Sequence, residues 1–240
     1  MTNLFDMKSF DINIDQGSLV SLILILLVFV PMLLCVAFMT IIERKAMGSM
    51  QRRIGPNVVG YYGVLQPFAD ALKLVVKEQI IPAQSNKALF FLAPMISLVF
   101  SLLGWATIPF GSGMAITDIS LGMLFSLAVS SIGVYGALFA GWAANSKYAF
   151  LGSLRSTAQM VSYELIFSTC VAAVILLAGS LNFTTIVEAQ TSIWFIVPLF
   201  PLFIMYLISA LAELNRTPFD LPEAESELVS GFMTEHSGMI

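Results

Sequence analysis

No Asp, Glu, Lys or Arg occurs in residues 16–42, 88–117, 119–146, 165–187 or 189–212, and each of these stretches is dominated by apolar side chains. Every gap is at least as long as the roughly 20 residues an α-helix needs to cross hydrocarbon. The pattern therefore predicts an all-α, polytopic membrane protein with five transmembrane helices, at about 17–42, 88–108, 119–143, 160–180 and 193–212. The first apolar run is too long for a signal-peptide core, and Glu43-Arg44-Lys45 follows it in place of a small-residue cleavage pattern, so it reads as a retained helix. Residues 1–15 form a polar N-terminal extension, and residues 16–240 form the membrane domain.

The connections between these helices differ in charge. Lys and Arg number one in residues 1–15, seven in 43–87, none in 109–117, two in 144–159, none in 180–192 and one in 213–240. Alternate segments thus carry ten against one, which puts 43–87, 144–159 and 213–240 inside and the N-terminus outside. Contacts with soluble partners are expected on that inner face. Within the first inner loop, Pro67 sits where a first-turn proline is favoured. Phe68, Ala71, Leu72, Val75 and Val76 then recur at helical spacing, with Asp70, Lys73 and Lys77 between them. This describes an amphipathic helix lying on the membrane surface, in contact with lipid or a partner. In the third membrane helix Gly122, Ser126 and Ser130, then Gly133, Ala137 and Gly141, form small-residue rows that permit close approach and make this helix central to the bundle. Pro31 is expected to kink the first helix. No repeat of 20 to 50 residues and no inverted transporter-like repeat is visible.

Composition agrees: 58% of the 240 residues are apolar and 11% charged, with a mean hydropathy of +0.89. A formal charge of -4 argues against nucleic acid, which requires a basic surface. Cys35, Cys170 and His236 are too few and too scattered for a metal site, haem or an iron–sulfur cluster. Any redox centre this protein serves must therefore lie in another chain. There is no G-x-x-x-x-G-K-[ST], G-x-G-x-x-G or G-x-S-x-G motif to support nucleotide binding or serine hydrolysis.

Three features could carry chemistry. Glu164, a turn into the fourth predicted helix, costs on the order of 3 kcal/mol at membrane depth unless paired, protonated or facing water. It is a functional carboxylate, or an interfacial anchor if that helix starts later. Glu213, Asp220, Glu223, Glu225 and Glu227 place five of the fifteen acidic residues within fifteen positions, with Arg216 as the one basic neighbour. Mutual repulsion and burial would suit them to proton exchange, while a solvated acidic loop is the blander alternative. Arg44, Lys45, Arg52 and Arg53 precede the Gly55-Pro56-Asn57 turn. Such a basic turn suits a headgroup, a phosphate or an acidic partner face, or serves only topological retention. Proton or cation handling is the natural inference.

These same residues resemble the subunit 1 family of NADH dehydrogenase, the membrane subunit of respiratory complex I that meets the peripheral arm. The first match is Glu43-Arg44-Lys45, Gln51, Arg53, Gly55 through Gly60, Gly63, and Leu65 through Ala71 to Lys73. The second is Gly141-Trp142, Asn145 through Ala149, Gly152, Arg155, Ala158-Gln159 and Ser162-Tyr163-Glu164. The third is Leu211-Ala212-Glu213, Asn215 through Leu221, Glu223 and Glu225 through Phe232. The resemblance runs from about residue 20 to the C-terminus and is weakest in the membrane helices and outer loops.

The resemblance implies that ubiquinone is the substrate and that NADH, FMN and the iron–sulfur clusters belong to partner subunits. It assigns Arg44, Arg53, Phe68, Asp70, Arg216 and Phe219 to the quinone cavity. Glu164, Glu213, Asp220, Glu223, Glu225 and Glu227 fall to an acidic path that couples quinone reduction to proton translocation, with no catalytic residue and no metal in this chain. Implied partners are the quinone-module subunits of the peripheral arm, antiporter-like membrane subunits and lipid. The implied location is the mitochondrial inner membrane, with the N-terminus in the intermembrane space, or a bacterial plasma membrane. Members of the family continue past Ser230-Gly231-Phe232 into further membrane helices, so a second polypeptide is expected to supply them. His236, where an aromatic residue is usual, Arg52 and Ile54 depart from the pattern and receive no role. The competing readings are the membrane subunit of an energy-converting hydrogenase, a stand-alone cation or proton channel or carrier, and a structural anchor. Concentrated carboxylates count against the last, because they cost stability an anchor has no reason to lose.

Overall fold

The computed structural model describes residues 18–111, 115–215, 218–221 and 231–236, without the side chains of 18–22, 24 and 232. The polar N-terminal extension, Arg216, Glu223, Glu225 and Glu227 lie outside the described residues. Described elements are helical throughout: α1 (Ser18–Met50), α2 (Gln66–Val76), α3 (Lys87–Leu103), α4 (Gly122–Ala144), α5 (Lys147–Ala178), α6 (Phe183–Ala189) and α7 (Phe200–Glu213), with short 3-10 turns at Tyr61–Gly63, Gly104–Thr107 and Gly231–Glu235. Among them α1, α3, α4 and α5 are long and apolar enough to cross a membrane, and α7 is a shorter apolar helix. The chain forms two compact units, one containing α1 and α2 and the other α3 to α7.

Helix boundaries differ from the expected ones because charge marks the edge of hydrocarbon, not the end of a helix. The first helix does not stop at residue 42; α1 continues through Glu43-Arg44-Lys45 to Met50 and passes Pro31 without a break. The expected inner loop 144–159 is reduced to Asn145 and Ser146. Asn145 adopts the left-handed conformation (φ 54°) that ends α4, and the Ser146 side chain accepts from the Ala149 amide to start α5 at Lys147. At 32 residues α5 is about 48 Å long, well beyond the ~30 Å of hydrocarbon, so its polar first turns have room outside the lipid. Glu164 is consequently the 18th of 32 residues, deep in a continuous helix, and not a turn from its start. The fifth span starts at Phe200 instead of residue 193, with Pro201 in its first turn, and its 14 residues reach only about 21 Å. Part of the expected outer loop 180–192 folds as α6, capped by Asn182.

In the first unit, the residues after α1 form a compact turn. Tyr61–Gly63 is a 3-10 turn, and a Cβ on Gly63 (φ 73°) would stand 2.2 Å from the Pro56 carbonyl oxygen, so only glycine lets the chain fold back here. In the second unit α4 packs against both α3 and α5, as the small-residue rows predict. A Cβ on Gly136 would meet Ser97 Oγ of α3 at 1.9 Å. One on Gly141 would meet Ser153 Cβ of α5 at 2.3 Å and the Ala149 carbonyl at 2.5 Å. Phe90, Ala143, Ala144 and Ala149 close the core where α3, α4 and α5 converge. Large apolar side chains elsewhere on the long helices are exposed, the arrangement expected where lipid or partner helices take the place of water.

Candidate functional site

Two groups of the anticipated residues can be located, one in each unit. In the first, Arg44 on α1 and Asp70 on α2 form an ion pair at 2.7 Å, and Gln66 Nε2 donates to the other Asp70 oxygen at 2.9 Å. The Arg44 guanidinium, then the Gln66 amide, hold the Asp70 carboxyl below its usual range. It therefore stays ionised at neutral pH. Phe68, also on α2, packs edge-on against Phe38 of α1 with ring centres 6.1 Å apart. Lys45 donates to the Tyr62 carbonyl and lies over that residue's ring at 5.7 Å. The structure thus joins Arg44, Phe68 and Asp70 across α1 and α2, while Arg53 stays apart and donates from Nε to Gln51 Oε1 at 2.7 Å.

In the second unit a cavity of about 770 Å³ is lined by α3, α4, α5 and α7, and both Glu164 and Glu213 reach it. Neighbouring hydroxyls on α4 serve the two carboxylates. Ser131 donates to Glu164 of α5, and Ser130 donates to Glu213, the last residue of α7, at 3.1 Å. A hydroxyl donates to a carboxylate and accepts from a carboxylic acid, so a serine neighbour can satisfy either protonation state by rotation. Most of the remaining lining is apolar, including Pro94, Phe100, Val129 and Met160, and within it Glu164 is half-buried and Glu213 exposed.

The start of the acidic segment is pinned to α5 by a residue whose weight the sequence does not reveal. Gln159 Nε2 is placed to donate to the Phe219 carbonyl at 2.8 Å, the Ala212 carbonyl at 2.9 Å and Asn215 Oδ1 at 3.1 Å. Its two hydrogens are shared among three acceptors, and its side chain is buried. One turn on, the Tyr163 ring meets Phe219 edge-on at 5.3 Å. Asp220 follows, half-buried, with Oδ1 unpartnered among the described residues. Gln159→Leu is expected to leave the Phe219 carbonyl without its donor at a cost of about 1–3 kcal/mol, while the Ala212 carbonyl keeps the Asn215 backbone amide. The check is the temperature at which the detergent-solubilised protein loses its helical circular dichroism. It should fall for Gln159→Leu, and an unchanged temperature would show that the pin carries no stability.

A family model described as NADH dehydrogenase matches residues 23–240. The sequence is 74% identical over 222 residues to NADH-ubiquinone oxidoreductase chain 1 of Mycosarcoma maydis, covering 92% of this chain and 67% of that protein. It is 62% identical over 222 residues to the protein of the same name from Podospora anserina, covering 92% and 60%. A bacterial relative, an NADH-quinone oxidoreductase subunit from Rhodospirillum centenum, is 58% identical over 215 residues, covering 90% and 64%. The chain spans about 60 to 67% of the length of these relatives.

Proposed function

The chain belongs to the NADH dehydrogenase family, and from that premise we propose that it is a core membrane subunit of a proton-pumping NADH:ubiquinone oxidoreductase. In this role it carries no redox centre. NADH, FMN and the iron–sulfur clusters reside in peripheral-arm subunits, ubiquinone is the substrate that meets the membrane part, and antiporter-like subunits receive the coupling signal. The membrane is the mitochondrial inner membrane, with the N-terminus on the intermembrane side. The chain's relatives bear names of quinone oxidoreductases, which favours this reading over a hydrogenase.

The single observation that carries the coupling role is the convergence of Glu164 and Glu213, from two helices, on one largely apolar cavity with a serine hydroxyl beside each. A carboxylate there binds a proton when the nearby charge changes and gives it up when the change reverses. Quinone reduction supplies that change. Asp220, held beside α5 by the Gln159 bond to Phe219, and Glu223, Glu225 and Glu227 after it extend the relay. In the other unit the Arg44–Asp70 pair and Phe68 offer a charged and an aromatic surface to the quinone, with Arg53 as a separate cation.

Native gels of mildly solubilised membranes, stained for NADH oxidation and followed by mass spectrometry, test the assignment. The chain is expected in a very large NADH-oxidising band together with peripheral-arm subunits. Finding it alone, or with a hydrogenase, would overturn the assignment and leave only the helical membrane fold.

A further inference from the structure

His236 follows the Gly231–Glu235 turn and lines the same cavity as Glu164 and Glu213. Its ring stacks on Phe90 of α3 with centres 4.2 Å apart and planes within 9° of parallel. Such stacking fixes the plane of the imidazole and so the direction in which its nitrogens point. The Ala140 carbonyl of α4 accepts a hydrogen bond from the imidazole, and Nε2 is buried with no partner among the described residues. The donor to Ala140 is therefore Nδ1, which leaves the lone pair on Nε2. A buried ring nitrogen without a partner is costly in a purely structural residue, whereas an unoccupied lone pair is what a proton acceptor requires.

We propose that His236 is a third proton-exchanging group of this cavity, accepting a proton at Nε2 from the Glu164–Glu213 pair and returning it during turnover. The step conserves charge: a carboxylic acid and a neutral imidazole become a carboxylate and an imidazolium, and the reverse transfer restores them. Among the described residues the ionisable groups around the ring are few. Glu164 faces the cavity from α5, Glu213 from α7, and Glu235 precedes His236 in the chain; the cavity-lining residues of α3 and α4, Ser97, Ser101, Ser126 and Ser130 among them, carry no charge. Burial holds the imidazole below its ordinary value of 6.5, against the opposing pull of the Ala140 carbonyl and Glu235. At neutral pH the ring is thus neutral and ready to accept, and it charges as the pH falls below that value.

This inference rests on the carboxylate cavity having the coupling role assigned above, and the experiment separates the two. His236→Gln and His236→Phe remove the titrating ring, the first keeping a polar side chain and the second keeping the stack on Phe90. In inner-membrane vesicles containing the whole complex, proton uptake coupled to NADH:quinone turnover is measured from pH 5 to pH 8, alongside Glu213→Gln. The unaltered complex should show an ionisation on the acid side that both histidine variants lack, and each should lose about a hundredfold in coupled rate. If their pH profiles superimpose on that of the unaltered complex while Glu213→Gln is uncoupled, the histidine has no proton role and the inference falls alone. If Glu213→Gln is also unaffected, the cavity reading and the inference fall together.

Discussion

Glu164→Gln is expected to assemble normally and to lose coupled quinone reduction by at least about a hundredfold, the lower end of what removal of a positioned proton-transfer group costs. Assembly should survive because glutamine has nearly the same shape, and its carbonyl can still accept from Ser131, the hydroxyl that now donates to Glu164. Transfer fails because an amide neither binds nor releases a proton at neutral pH. Position sharpens the expectation, since Glu164 is the 18th of 32 residues in α5 and faces a cavity whose walls are mostly apolar. An ionisable group within a membrane-crossing helix is costly unless paired, protonated or facing water, and calls for a function. The check pairs the NADH:quinone rate with proton uptake in vesicles, normalised to the amount of assembled complex. Unchanged rate and uptake would rule Glu164 out of the path.

Gly141→Ala is expected to act in the opposite way, lowering the amount of assembled complex several-fold without altering the activity of what assembles. The added Cβ would stand 2.3 Å from Ser153 Cβ and 2.5 Å from the Ala149 carbonyl, so α4 and α5 must part or bend. The second contact is with backbone at the start of α5, which Ser146 caps and which packs into the Phe90 core. Overpacking of this kind costs about 1–3 kcal/mol, or more where backbone must move, and close approach is what holds membrane helices together. Native gels should show the assembled band several-fold weaker. Gly133→Ala supplies the contrast: its Cβ would find its nearest neighbour, Phe100 Cβ, at 4.0 Å, and the band should keep its intensity. Equal bands for both variants would mean that the α4–α5 approach is not tight in the assembled complex.

Long charge-free runs made the apolar segments legible, because lipid tolerates few charges and the chain must meet that limit over some 20 residues at a time. Ends of helices were less legible. Glu43-Arg44-Lys45 and Lys147 leave the hydrocarbon without leaving the helix, since backbone hydrogen bonding does not depend on which solvent surrounds it. The late start of α7 has a signal that was available, Pro201 followed by an uninterrupted apolar run. In the site, Glu164 and Glu213 stand out because acidic groups beside apolar runs are rare. Their partners do not: Ser130 reads as a small packing residue until its hydroxyl is seen to face Glu213. Gln159 is invisible for a different reason, as its acceptors lie 53 to 60 residues away and no local pattern reports a contact at that separation. His236 is likewise silent in sequence, because its character comes from a stack on Phe90 and a cavity built by other helices.

The claim that matters most is that Glu164 and Glu213 act as one unit through a shared cavity, and a double-mutant cycle on coupled turnover tests it most directly. Groups in a single path fail together, so Glu164→Gln with Glu213→Gln should lose little more than the more damaging single change, a strongly non-additive result. Losses that multiply, each carboxylate contributing its full factor in the absence of the other, would place them on independent routes and contradict the cavity as the site of coupling.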